Sequence, residues 1–185
     1  MERIELAASL MCGDYRRLGE QVRELDAAGI DRYHLDVMDG HFVPNLGLGP
    51  ELVAVLRGET DRPFDAHLMV EEPERFVDLF AAAGCETLVY HFEATIHHRR
   101  LNARIRAAGC VPEIEVYDAG HLDVARELVA RGAVPSPIHV QFVLGIPGAL
   151  PADREVLEFE LQQLARVLPG ATWTAAGIGR HQLTV

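Results

Sequence analysis

His34-Leu35-Asp36-Val37-Met38-Asp39-Gly40-His41-Phe42-Val43-Pro44-Asn45 carries the strongest structural signal in the chain. Tyr33 to Met38 alternates strictly, so a strand here carries His34, Asp36 and Met38 on one face. Asp39-Gly40 is a turn signal that ends the strand. An imidazole, a carboxylate and a thioether thus converge at the C-terminal end of a strand, where parallel α/β folds place their chemistry. Phe64-Asp65-Ala66-His67-Leu68-Met69 repeats the plan, with Asp65, His67 and Leu68-Met69 at the end of a second strand.

Outward from these two segments, strand and helix patterns alternate along the chain. Strands are expected near 4–9, 33–38, 64–69, 87–92, 112–117, 138–145 and 172–177. Amphipathic helices are expected over 15–28, 50–56, 73–83, 101–108, 122–130 and 153–168. Ala28-Gly29, Ala83-Gly84, Ala108-Gly109 and Arg131-Gly132 are helix-stop signals. The pattern predicts a single α/β domain over residues 1–185, a TIM (β/α)8-type barrel with about seven βα units and no countable eighth. Such a barrel leaves two parallel edges open unless Leu183-Thr184-Val185 starts another strand, so a homo-oligomer is expected.

Composition narrows the function. The chain has 185 residues, 49% of them hydrophobic, enough for a sizeable buried core. A net charge of −11 argues against nucleic acid or an anionic membrane as partner. No apolar run approaches the ~20 residues of a membrane span, and Met1-Glu2-Arg3-Ile4-Glu5 does not read as a signal peptide. Cys12, Cys85 and Cys110 are widely spaced and odd in number, as in a reduced, cytoplasmic protein. All 17 basic residues are arginine. The absence of lysine excludes Schiff-base chemistry, pyridoxal phosphate anchoring and a Walker A loop. Carbanion chemistry here must be stabilised by a metal or by hydrogen bonds.

Leu6-Ala7-Ala8-Ser9-Leu10, the 34–45 segment, Asp65–Glu74 and His91-Phe92-Glu93-Ala94-Thr95 together resemble the ribulose-phosphate 3-epimerase family over residues 1–111. From Pro112 onward, segments 112–122, 139–152 and 171–183 resemble the β-keto acid cleavage enzymes, another barrel family. The two resemblances together suggest a chimera over 1–111 and 112–185. The first implies a metal-dependent epimerase that removes a proton next to the ketone of a ketopentose phosphate. It implies one divalent metal (Zn, Fe, Mn or Co) held by His34, Asp36 and His67, with Asp36 also the proton-transfer base and Ser9 beside it. Met38 and Met69 would pack against the enediolate without adding hydrogen-bond donors, and Ser9 and His67 would also contact the substrate. The second resemblance implies a carbon–carbon lyase, and a catalytically inert barrel fragment is the third possibility.

Inversion needs a second acid, which the epimerase family places as an aspartate at the end of strand seven, where it is also a metal ligand. Here strand seven reads Thr172-Trp173-Thr174-Ala175-Ala176-Gly177, without a carboxylate. Glu115, Asp118 and His181 are the groups that could take its place. Gly177, Gly179 and Arg180 could offer backbone N–H groups and a guanidinium to a sugar phosphate, or simply form a tight turn. Glu115, Asp118 and His121 either line the site or cap the next helix. Gln141 points inward or satisfies a buried backbone group; His91 and Glu93 either reach the site or support it from behind. His97–Arg100 is expected on a solvated face, Asp39 in the turn, and Trp173 in the core.

Overall fold

A computed structural model describes residues 5–179. Seven strands alternate with six α-helices: β1 Ala7–Ser9, α1 Leu18–Ala28, β2 Arg32–Met38, α2 Pro50–Arg57, β3 Phe64–Met69, α3 Val77–Ala82, β4 Thr87–Tyr90, α4 His98–Ala107, β5 Val111–Val116, α5 Ala119–Ala130, β6 His139–Leu144, α6 Arg154–Val167 and β7 Thr172–Gly177. This is the expected α/β fold of the TIM-barrel class, with seven strands among the described residues. The expected helix over 73–83 divides into a 3-10 turn, Pro73–Arg75, and α3.

The chain groups into two compact units, one of residues 1–97 and 103–111, the other of 98–102 and 112–185. In the first, β1 to β4 pair in parallel and in sequence order. Tyr33, Leu35 and Val37 of β2 and Phe64, Ala66 and Leu68 of β3 are buried on one face. Val22, Val53, Leu56, Val77 and Phe80 of the helices are likewise fully or almost fully buried. The opposite face carries His34, Asp36 and Met38 beside Asp65, His67 and Met69. Helix ends follow local chemistry: Gly29 turns α1 off at φ 91°, a left-handed conformation natural to glycine.

In the second unit β5, β6 and β7 pair in parallel over a core that includes Val116, Leu122, Val140, Phe142, Leu144 and Leu164. Asp118 and Asp153 cap α5 and α6, accepting hydrogen bonds from Gly120 N and Val156 N at 2.8 and 2.9 Å. Trp173 departs from its expected place in the core, at 45% exposed. It lies on β7, and no helix follows that strand among the described residues to cover the indole.

Glu160 occupies an apolar position of α6, in line with Val156, Leu157 and Leu164, and is fully buried. Neither carboxylate oxygen has a hydrogen-bond partner among the described residues. Burial, with a smaller contribution from the Asp118 carboxylate, pushes its carboxyl pKa up. A group whose pKa rises on folding adds stability below its unfolded value, and that contribution is lost as pH climbs through the folded value. Replacing Glu160 with Leu is therefore expected to stabilise the protein at pH 8 by about 1–3 kcal/mol, the cost of an unpaired buried polar group. The gain should shrink toward pH 4, as read by chemical denaturation at both pH values. Equal effects at both would show that Glu160 is buried without electrostatic cost.

Candidate functional site

In the parallel register of β1, β2 and β3, Ser9 lies beside His34, Asp36 beside His67, and Met38 beside Met69. The two strands therefore bring His34, Asp36 and His67 together, as alternation predicts. His34 Nε2 and His67 Nδ1 both stand 3.5 Å from Asp36 Oδ1. Ser9 Oγ donates to the other oxygen, Oδ2, at 2.8 Å. Asp36 is only 8% exposed and His67 7%. Burial alone would raise the Asp36 pKa, but hydrogen bonding from His34 and His67 and the charge of His34, aided by Ser9, win and hold the carboxyl well below the usual carboxylate range. Asp36 is thus an anion throughout the neutral range, in a largely dehydrated setting.

Two imidazole nitrogens facing one carboxylate oxygen form a donor set suited to a first-row divalent cation. His34, Asp36 and His67 are the residues that could hold one. Met38 and Met69 flank them, half-buried, and offer soft apolar surface at the strand ends.

The loop after β2 is tied down in two ways. Asp39 Oδ1 accepts from the backbone of His41 and Phe42 at 2.9 Å each, and Oδ2 from Glu71 N, 2.8 Å away in the loop after β3. Asp39 shapes the turn, as expected. The loop then folds back on its own strand through Gly47 N to Met38 O at 3.1 Å and Leu48 N to Asp36 O at 3.0 Å. A Cβ on Gly47 would stand 2.4 Å from Asp36 O and 2.7 Å from Met38 N. Both neighbours are backbone and cannot swing aside. A Gly47→Ala variant is expected to lose about 1–3 kcal/mol through overpacking and to displace Asp36, read as a lower denaturation midpoint together with weaker metal binding. Unchanged values for both would show that the loop is free to lift away.

His91, just past β4, supports the site from behind: its Nε2 is 2.8 Å from His67 Nε2, and its ring stacks on His67 at 5.0 Å. Glu93 is mostly exposed, 3.8 Å from His91 Nδ1. Neither Gly47 nor the His67–His91 pairing was legible in the sequence. The first needs the path of a loop, and the second the distance between neighbouring strand ends.

In the second unit, Asp118 caps α5, and His121 Nδ1 accepts from Tyr117 N at 3.2 Å, so both serve the helix start. Glu115 accepts from Tyr117 Oη and from Gln141 Nε2, the latter at 3.2 Å. Gln141 Oε1 also lies 3.4 Å from the Thr174 hydroxyl. Gln141 therefore pairs with side chains of β5 and β7, not with a buried backbone group. One layer down, His139 bridges Glu113 at 3.1 Å and Thr172 at 2.7 Å. Gly177 ends β7, and the Ile178 N–H between the two candidate phosphate glycines is already donated to Leu144 O at 3.0 Å. Gly179 opens the segment that follows; Arg180 and His181 lie outside the described residues.

The model of the "Ribulose-phosphate 3 epimerase family" matches residues 5–134, which include every residue of the Asp36 cluster. The chain belongs to the ribulose-phosphate 3-epimerase family. It is 43% identical over 106 residues to the ribulose-phosphate 3-epimerase of Bacillus subtilis, covering 57% of this chain and 49% of that protein. It is 46% identical over 110 residues to the enzyme of Treponema pallidum, covering 59% and 50%. The chain thus aligns with about half the length of these curated relatives. The family match runs past the junction expected near 111, and the comparisons bring no support for a cleavage-enzyme segment or a chimera. Among solved structures, the tryptophan synthase α subunit of Campylobacter jejuni superposes with TM-score 0.63 at 16% identity, covering 96% of this chain and 79% of that one. That likeness concerns the fold alone. No helix among the described residues is long and apolar enough to cross a membrane.

Proposed function

We propose that the protein is a metal-dependent ribulose-phosphate 3-epimerase-type catalyst in which Asp36 takes the proton from C3 of a ketopentose phosphate, next to the C2 ketone. The observation that carries this reading is the buried Asp36 anion, fixed by Ser9 on one oxygen and flanked by His34 and His67 on the other. Family membership supports it, since the family-matched residues 5–134 contain this cluster. His34, Asp36 and His67 would hold a zinc, iron, manganese or cobalt ion. When bound, that ion supplies Lewis-acid stabilisation of the negative charge developing on the substrate oxygens. Asp36 accepts the proton through the oxygen left within reach of substrate, while Ser9 keeps the carboxylate from rotating. Met38 and Met69 cover the carbanion's flat face with surface that cannot donate a proton. Gly177, Gly179 and Arg180 are the candidate phosphate contacts.

The test is reconstitution. Protein stripped of metal and titrated with Zn²⁺, Mn²⁺, Fe²⁺ or Co²⁺ should bind one equivalent per chain, and His34→Ala or His67→Ala should abolish that binding. A folded protein that takes up no equivalent of any of these ions overturns the metal site. Association with further copies of the chain is part of the same proposal, because β1 pairs only with β2, and β7 only with β6, among the described residues. Light scattering is expected to show a species larger than one chain; a clean monomer at high concentration would contradict it.

A further inference from the structure

The second ring nitrogen of His67 meets another imidazole. The Nε2 atoms of His67 and His91 are 2.8 Å apart, and the rings lie 20° from parallel. Phe42, on the loop after β2, packs against the His91 ring with centroids 5.0 Å apart. A hydrogen bond between two neutral imidazoles has a polarity, since one nitrogen must bring the proton and the other a lone pair. His67 turns Nδ1 toward Asp36. For that nitrogen to keep a lone pair for a cation, the ring proton must sit on Nε2 and be donated to His91 Nε2. His91 then carries its own proton on Nδ1, the atom nearest Glu93 Oε1 at 3.8 Å.

We infer that His91 is a positioning residue: in the metal-loaded protein, where His67 Nδ1 no longer donates to Asp36, it accepts the Nε2 proton of His67 and thereby sets the tautomer and ring plane that leave the Nδ1 lone pair facing the Asp36 cluster. Phe42 holds the His91 ring in place through apolar contact, and Glu93 biases its proton to the far side. This rests on the proposed metal site. It goes further in assigning a direction to the His67–His91 hydrogen bond and placing the remaining His91 proton on the nitrogen that faces Glu93.

The experiment compares wild type, His91→Ala and His91→Gln by competition with a zinc chelator, alongside nitrogen NMR of the histidine rings in the zinc-loaded wild type. Loss of an outer partner of a ligating histidine typically weakens metal affinity ~10–100-fold, and that loss is expected for His91→Ala. His91→Gln should recover most of it, because its side-chain carbonyl can accept the same proton. The metal-free variants should melt at the wild-type temperature, and cobalt-loaded His91→Ala should show an altered visible spectrum. In wild type, the NMR should find the His67 proton on Nε2. A His67 proton on Nδ1 overturns the inference without recourse to any variant, as does His91→Ala affinity within about twofold of wild type. A wild type that binds no zinc overturns the metal-site reading beneath it, a result distinct from either.

Discussion

In heavy water, deuterium is expected to enter C3 of ribulose 5-phosphate ~10²–10⁴ times faster than xylulose 5-phosphate forms, the range that a positioned general acid usually contributes. Removing the proton needs one base, the role proposed for the buried Asp36 carboxylate. Inverting the centre needs a second proton source on the opposite face. The family's aspartate at the end of strand seven has no counterpart in β7, which reads Thr172-Trp173-Thr174-Ala175-Ala176-Gly177. The family match ends at residue 134, well before β7. The carbanion should therefore recover its proton mostly from the face that lost it, or slowly from water. Proton NMR separates the two outcomes in one sample, since exchange removes the C3–H signal of ribulose 5-phosphate before new signals of its epimer grow. Exchange and inversion at equal rates would show that another acid has replaced the missing carboxylate. Glu115 and His181 are then the residues to change, because Asp118 is already committed to capping α5.

Asp36→Asn should lower C3 exchange by ~10²–10⁴-fold, with inversion falling below detection. The amide has nearly the same shape and can still accept from Ser9, so folding should survive. What it lacks is the ability to take a proton and the negative charge that His34 and His67 now flank at 3.5 Å. Metal affinity should fall in the same variant, because a neutral amide oxygen is a weaker ligand for a divalent cation than a carboxylate oxygen. Ser9→Ala, which leaves the charge in place and removes only the 2.8 Å hydrogen bond, should cost far less. If Asp36→Asn and Ser9→Ala proved equally mild, the base would have to be sought elsewhere.

The first half of the fold was legible because two signals agree there. Period-two alternation in 33–38 and 64–69 assigns one face to the helices, and Asp39-Gly40 fixes the end of the first strand. Register then does the rest: Asp36 beside His67 follows from two strands that end together. What stayed hidden depends on neighbours distant in sequence. Gly47 reads as a loop glycine until the loop is seen lying on the Asp36 backbone. Glu160 interrupts an otherwise apolar helix face, a visible signal, but only packing shows that no partner reaches it. Trp173 misleads because an indole suggests burial, whereas its exposure depends on what covers β7. Gln141 misleads because side-chain partners on both adjacent strands are available only once β5, β6 and β7 are aligned.

The most direct test is solvent exchange at C3 of ribulose 5-phosphate by the metal-loaded wild-type protein in heavy water. Loss of the C3–H signal at a rate far above buffer, abolished in Asp36→Asn, is the predicted result. A folded protein that holds its equivalent of metal at His34 and His67, yet exchanges C3–H no faster than buffer, would contradict the proposal that Asp36 is a working base.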